Sequence, residues 1–546
     1  MQQIVLKAGS RPPWVGLAAA IWVQTCAGNA YTFPLYSNAL KAVLGFNQEQ
    51  VTMLGVANDF GESFGLLPGI ACNKLPPWAL LTTGASFCFL GYGLIYLSIA
   101  ELVPAIPYWL LWIALVIASN SNAWFGTAVL VTNMRNFPLS RGTVSGIVKG
   151  YVGLAASVYT VLYNGVLGES SSHLLLFLSL GIPIVCFSMM YFIRPCTPAY
   201  EEDDRHHYHF LFTQTLSVLL GVYLLVATVL SDLIGFSTAV TTSVLAVMLI
   251  FMLYPIAIPL KMTLFPSKKP FDPSLQASPS TPLLTPSSSG FIDEGESLDT
   301  ETLLAVGEGA IKKKRRPRRG EDFRWSEALE KADFWLLWLV YFCGVGSGVT
   351  VLNNLAQIGN AFGTADTTLL LSLFGFCNFV GRLGSGAVSE YFVRSRMIPR
   401  TVWMVVAQVV MVGCFVPFAY GLNGVLYVAT PFLGLAYGTL YNTMVPIASE
   451  LFGLKHFGVI YNSLLLGNPV GALLFSGILA GGVYDAAAEK QGTPICVGVE
   501  CFKVTFLVLA GVCAVGCVLG VILTVRVWSV YRMLYSGGSF RIPQGH

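Results

Sequence analysis

Runs of roughly twenty mostly apolar residues, separated by short polar turns, recur from one end of the chain to the other. Each is long enough for an α-helix to cross a hydrocarbon layer about 30 Å thick. The pattern predicts spans near residues 14–38, 49–72, 78–100, 107–133, 142–167, 173–194, 210–231 and 238–262. After a long polar interval it predicts six more, near 334–358, 367–392, 400–421, 424–450, 456–481 and 503–530. Strand barrels are excluded, because their spans read as about ten alternating residues. The expected fold class is an all-α polytopic membrane protein of about 14 transmembrane helices.

Composition agrees with the pattern: 55% of residues are hydrophobic and 11% charged, against roughly 25% charged in a soluble domain. The first span follows Lys7 and Arg11, but it is too long for a signal peptide and reads as an uncleaved helix. With the N-terminus in the cytosol, cytosolic segments hold 26 of the 31 Lys and Arg residues. The spans hold Lys149 and Arg382, and the opposite side holds Lys41, Lys490 and Lys503. Positive charge gathers on the cytosolic side of membrane proteins, so both termini are expected there. The run KKKRRPRR at 312–319 then reads as a lipid-facing cytosolic element rather than a nucleic-acid patch.

The expected organisation is a cytosolic N-terminus at 1–13, a six-helix bundle at 14–194, two extra helices at 195–264, a disordered cytosolic linker at 265–332, a second six-helix bundle at 333–530 and a cytosolic tail at 531–546. The linker is rich in Ser, Pro and Thr, then acidic, then basic. Its DTETLL stretch, with Asp299 ahead of Leu303 and Leu304, has the form that sorting adaptors read, and its hydroxyls suit kinases. Cys496 and Cys501 lie in the longest outward loop, where a disulfide is expected; the other ten cysteines lie in spans or on the reducing cytosolic side.

The two halves carry a weak internal repeat. Their first helices share Cys, small residues and then amides, in TCAGNAYTFPLYSN at 25–38 and FCGVGSGVTVLNN at 342–354. Two related bundles around a midplane site is a recurrent transporter plan. WVGLAAAIWVQTCAGNAYTFPLYSNALK at 14–41, NDFGESFGLLPG at 58–69 and NFPLSRGTVSGIVKGYVGLAAS at 136–157 resemble the plant nodulin-like branch of the major facilitator superfamily. GRLGSGAVSEYF at 381–392 and VYDAAAEKQ at 483–491 are similar to that family's C-terminal bundle. The resemblance implies a solute carrier with twelve core helices and two inserted ones. It also implies a cytosolic latch, which Gly386, Glu390, Arg394 and Arg396 match in the second half, with Glu for the usual Asp. The first half keeps Gly69 and Lys74 but has Asn73 where the acid is expected.

An ionised side chain at mid-membrane costs at least about 2.5 to 3.5 kcal/mol and persists when paired or lining water. Asp59, Glu62, Lys149 and Arg382 therefore mark the candidate substrate and ion-coupling site. Asp59 and Glu62, three apart, share one helix face. Glu62 and Lys149 sit at similar depth and are expected to meet, as a titrating pair or as a fixed helix-to-helix lock. Arg382 occupies the corresponding region of the second half, with service to the latch near Glu390 as its other reading. Asn29, Tyr31, Asn120, Asn122, Asn353, Asn354 and Gln357 are candidate cavity-lining residues, although amides also join helices.

There is no phosphate-binding loop of the G-x-x-x-x-G-K-[ST] form, and the six His lie in loops, termini or helix ends. No metal, cofactor, nucleic acid or enzymatic reaction is expected. The reading is a secondary active transporter of a small polar or anionic solute by alternating access, with the proton as candidate coupling ion. Its alternative is a non-transporting membrane regulator that keeps the carrier fold and signals through the linker. The Leu pair tilts the expected membrane toward the vacuole over the plasma membrane or endoplasmic reticulum.

Overall fold

Backbone N–H and C=O groups in hydrocarbon must find partners inside the chain, and a helix satisfies them locally. The computed structural model describes residues 11–46, 48–103, 106–196, 204–264, 319–363, 367–422, 424–492 and 496–536. The sorting motif, most of the linker and residues 537–546 of the C-terminal tail lie outside them.

The first bundle is built from α1 (Arg11–Cys26), α2 (Phe33–Leu44), α3 (Gln48–Ser63), α4 (Leu66–Ala71), α5 (Pro77–Ile99), α6 (Tyr108–Asn136), α7 (Arg141–Gly165), α8 (Ser171–Leu176) and α9 (Ile182–Met190). The inserted helices are α10 (Asp204–Ile234), α11 (Thr238–Leu253) and α12 (Ala257–Leu264). A short α13 (Trp325–Leu329) leads into the second bundle: α14 (Ala332–Asn353), α15 (Leu355–Ala361), α16 (Thr367–Arg396), α17 (Thr401–Tyr420), α18 (Val425–Phe452), α19 (Phe457–Leu465), α20 (Gly467–Gly471), α21 (Gly482–Gln491) and α22 (Lys503–Ser536).

Among the described residues, 11 helical runs are long and apolar enough to cross a membrane. The other three expected spans are α1–α2 and α3–α4, each broken in two, and α18, whose apolar run is diluted by Tyr, Thr, Asn and Glu side chains.

The breaks fall where close approach demands glycine. A Cβ on Gly28 would lie 2.1 Å from that of Ala155, and one on Gly65 would lie 1.9 Å from Asn462 Oδ1. Carbonyls freed at a break need donors, and amides from neighbouring spans supply them. Asn58 Nδ2 donates to Ala30 O at 3.1 Å, and Asn120 Nδ2 donates to Gly61 O at 2.9 Å and Phe64 O at 2.8 Å. At the α14–α15 break, Asn354 Nδ2 donates to Thr350 O at 2.8 Å and Ser476 Oγ at 2.9 Å.

The bundles meet through two glycine seams. Along α7 and α16, a Cβ on Gly386 would lie 2.4 Å from Gly142 O, and one on Gly146 would lie 3.0 Å from Arg382 O. Along α4 and α19, a Cβ on Gly69 would lie 2.7 Å from Gly458 O. Both seams lie toward the end where Arg135, Arg141, Arg394 and Arg400 gather, called the basic end below.

The inserted helices ride on the first bundle. Tyr151 and Ser217 share a buried hydrogen bond of 3.0 Å, and Trp14 packs on Phe210 with ring centroids 4.6 Å apart. Gly221 of α10 also meets the second bundle, where a Cβ would lie 2.7 Å from the Phe379 ring.

The linker ends earlier than composition suggested. Residues 319–331, expected to be disordered, pack on the second bundle: Phe323 is fully buried against Phe452, and Trp325 Nε1 donates to Ser463 Oγ at 2.9 Å. Arg319 and Arg526 converge on Asp333 at 2.7 and 2.8 Å. Two aromatic anchors within a charged stretch carry this docking, which a reading of mean composition averages away. At the far end Cys496 and Cys501 are joined by a disulfide.

Candidate functional site

Arg382, on α16, is only 1% exposed. Its guanidinium is held by fixed acceptors: Nε donates to Asn378 Oδ1 at 3.0 Å, and Nη1 donates across the bundle interface to Lys149 O at 3.2 Å. Its Cζ lies 4.3 Å from the Tyr441 ring centroid, and Nη2 has no hydrogen-bond partner among the described residues. Lys149, on α7, is 8% exposed, with Nζ 5.3 Å from the Tyr461 ring centroid. Neither cation forms an ion pair within 4.0 Å of a carboxylate among the described residues. Arg382 is steadied by an aromatic face, a side-chain amide and main-chain oxygen, and Lys149 by an aromatic face, an arrangement that leaves positive charge available to an anion.

Glu62 comes from α3, one turn before the Gly65 break. It interacts electrostatically with Arg382 first and Lys149 second, without closing the expected ion pair with Lys149. Asp59, one turn earlier, accepts from Asn353 Nδ2 of the second bundle at 3.5 Å. Tyr31, in the 3-10 turn Asn29–Thr32, faces both Glu62 and Arg382. Asp59, Glu62 and Tyr31 keep part of their surface accessible although they face the second bundle, so side chains do not fill the space between the bundles there. The four ionisable groups thus occupy one region with two charges of each sign.

The amides divide. Asn29 is fully buried inside the first bundle, donating to Ser121 Oγ at 3.0 Å and accepting from Tyr92 Oη at 3.0 Å. It joins helices, and Asn120 and Asn354 bond the carbonyls at the helix breaks. Asn353 and Gln357 are exposed, whereas Asn122 is 5% exposed with both amide atoms unpartnered among the described residues.

Several residues of the region were not singled out in the sequence. Tyr341, Tyr437 and Tyr441 interact with the Arg382 charge. Tyr461 carries Lys149, and Gln24 is fully buried with both amide atoms unpartnered. Tyr437 and Tyr441, four apart in YGTLY, share a helix face and were the legible signal.

The basic end is closed by a charge network. Glu390 binds Arg394 Nε at 2.9 Å and Arg400 Nη2 at 2.7 Å, and it accepts from the Gly142 backbone N–H at the start of α7 at 2.8 Å. Arg394 donates across the interface to Leu139 O and to Ser140 Oγ. Arg400 continues to Glu450 at 2.8 Å, which accepts from Tyr531 Oη at 2.7 Å. Arg382 takes no part: it belongs to the central region, not the latch. In the first half, Asn73 Oδ1 accepts from Arg135 Nη2 at 3.0 Å, and the same nitrogen reaches Leu454 O at 3.0 Å in the second bundle. A neutral amide therefore stands where an acid was expected and still ties the turn.

Two six-helix bundles with central charges and glycine seams define a protein of major facilitator architecture. The proton:xylose symporter of that superfamily superposes with a TM-score of 0.53 at 10% identity, over 94% of this chain and 95% of that one. The Nodulin-like family profile matches residues 13–260, and the profile described as "NFD4, C-terminal domain" matches residues 322–533. The chain is 32% identical over 547 residues to Protein NUCLEAR FUSION DEFECTIVE 4 of Arabidopsis thaliana, covering 95% of this chain and 90% of that protein. It is 24% identical over 518 residues to a membrane protein of Saccharomyces cerevisiae, covering 88% of this chain and 89% of that one. The chain belongs to the nodulin-like family.

Proposed function

We propose that the chain is a secondary active carrier that moves a small anionic solute together with protons, by alternating access between its two bundles. The observation that carries the reading is the pair Lys149 and Arg382, buried at the bundle interface with no ion-paired carboxylate and no hydrogen-bond partner for Nη2 of Arg382 among the described residues. Glu62 faces both cations, so its protonation would release positive field for an incoming anion, and its ionisation would favour anion release. Asp59, bonded to Asn353 across the gap, would report the approach of the bundles at the centre.

The positive-inside pattern puts the basic end in the cytosol, which makes this state closed to the cytosol. Uptake of a labelled panel of organic anions, amino acids and sugars into proteoliposomes under an imposed pH gradient tests the reading. One anion class should accumulate when the external side is acidic. Glu62→Gln should abolish the dependence on the gradient, and Asp59→Asn should lower the rate. Folded, correctly inserted protein that moves nothing in the panel would sink the carrier reading.

A further inference from the structure

We infer that the solute is a hydroxylated monocarboxylate, its carboxylate held by Arg382 and Lys149 and its hydroxyl groups by Gln24, Asn122 and Tyr461. The inference rests on the carrier reading above and adds the chemical class of what is carried.

Among the described residues, Gln24 is fully buried and Asn122 is 5% exposed, and each has both its amide nitrogen and its amide oxygen without a partner. The Tyr461 hydroxyl, at 1% exposure, is also unpartnered. Buried polar groups are nearly always bonded, so three such side chains in one region require explanation. Other buried amides have one unpartnered atom, such as Asn58 Oδ1, but bond through the other, as Asn58 Nδ2 does to Ala30 O at 3.1 Å; among the described residues only Gln24 and Asn122 have both amide atoms buried and unpartnered.

The unpartnered groups converge on the cation. Lys149 Nζ lies 5.3 Å from the Tyr461 ring centroid, and a Cβ on Gly126 would lie 3.7 Å from Nζ. Asn122 is one turn from Gly126, on the same face of α6. Gln24 stands in the last turn of α1, which meets α7 through the Tyr159 Oη–Cys26 O bond of 3.3 Å and, just beyond the helix end, through Gly28 against Val152 and Ala155. Spans from both bundles therefore bring their unsatisfied groups to the region that holds the charges.

The donor and acceptor inventory selects the ligand. Each amide offers two donors and an acceptor, and the phenol offers one of each. A bare carboxylate accepts only and would leave the amide oxygens unpaired. An ammonium donates only, and an alkyl chain does neither. A hydroxyl donates and accepts, so a polyhydroxylated chain fits groups of mixed character. Charge limits the acid to one carboxylate: Asp59 and Glu62 balance Lys149 and Arg382, and a single proton taken up leaves room for a single negative charge.

Sites built to bond a hydroxyl reject analogues that lack it far more strongly than apolar pockets reject an extra group. The test is uptake and competition in proteoliposomes with gluconate, hexanoate, sorbitol, glucarate and glutamine as probes. Gluconate should be taken up, with hexanoate and sorbitol at least tenfold poorer competitors and glucarate and glutamine poorer than gluconate. Gln24→Leu and Asn122→Leu should raise the KM for gluconate and narrow its advantage over hexanoate, while the dependence on pH persists. Arg382→Lys should weaken both acids together. Equal competition by hexanoate and gluconate, or substitutions that leave their ratio unmoved, would overturn the inference while the carrier stands. Transport of a probe other than the hydroxy acid would also overturn it alone, whereas transport of no probe by folded protein would remove the carrier reading beneath it.

Discussion

Arg382 reaches its position by geometry that only a guanidinium supplies. Its Nε bonds Asn378 Oδ1 and its Nη1 the Lys149 carbonyl, its Cζ lies over the Tyr441 ring, and Nη2 has no hydrogen-bond partner among the described residues. Lysine keeps the charge but loses the fork and the stacking, so the exchange is not conservative. Arg382→Lys should lower anion uptake by about tenfold or more, equivalent to about 1.4 kcal/mol, with the chain still folded by size-exclusion chromatography and circular dichroism. Glu390 is charged for a different purpose, since it is the shared counter-ion of Arg394 and Arg400 and also caps the start of α7. Removing one partner from a buried pair costs about 3 to 5 kcal/mol because the other charge is left behind. Glu390→Gln, which keeps the Gly142 acceptor, should lower the thermal midpoint in detergent and expose the basic-end seam. Maleimide labelling of Cys72, whose sulfur packs beside Gly458, is the reporter; unchanged labelling would show that the latch does not govern the seam.

At the scale of the element, α7 and α16 touch through backbone, and this sets what closing the basic end requires. Gly142, Gly146 and Gly386 let the two helices meet where any side chain would intrude. Phe379, fully buried, adds a knob one turn before Arg382 that rests on Gly150 and Gly153 of α7 and on Gly221 of α10. The inserted pair thereby completes, from the first bundle's side, a socket for a residue of the second. Gly386→Val should hold the seam apart, raising Cys72 labelling and slowing transport, and Gly221→Leu should do the same more weakly because it obstructs only the socket. Identical labelling in Gly221→Leu and the parent chain would reduce the inserted pair to passive packing. Much of this level was legible. The apolar runs gave the spans, and Asp59, Glu62, Lys149 and Arg382 stood out because charge in an apolar run is rare. The aromatic cage was not legible, since Tyr is common in spans and nothing in one sequence says which rings face a guanidinium. Arg400 and Glu450 escaped because a charge near a helix end reads as solvated until its neighbours are known. Asn29 and Asn120 could not be sorted from sequence, because an amide in a span reads alike whether it lines a cavity or joins helices.

For the whole molecule, the consequence that matters most is sidedness. The latch, both glycine seams and the docked 319–331 segment all lie at the basic end, while nearer the centre the hydrogen bonds that α3 makes with the second bundle are long, Asn353 Nδ2 to Asp59 and Asn468 Nδ2 to Ser63 Oγ, each 3.5 Å. The bundles are therefore fastened most firmly at the basic end. If positive charge marks the cytosol, a carrier in this state is poised to load from outside or from a lumen. The docked segment strengthens the fastening: Phe323 packs on Phe452, and Asp322 Oδ1 accepts from Lys455 N at 3.0 Å, beside the turn that Arg135 grips from the first bundle. A protease site placed in the 265–318 stretch and epitope tags at both termini should all be reached from the cytosolic side of sealed membrane vesicles. A cysteine placed at Val497, an exposed position in the disulfide-closed loop, should be labelled only from the opposite side. If the tags and the loop were instead reached from one side, the orientation would be wrong and the closed end would face away from the cytosol. With the orientation confirmed, Trp325→Ala, which removes the bond to Ser463, should loosen the basic end and increase Cys72 labelling from the cytosolic side.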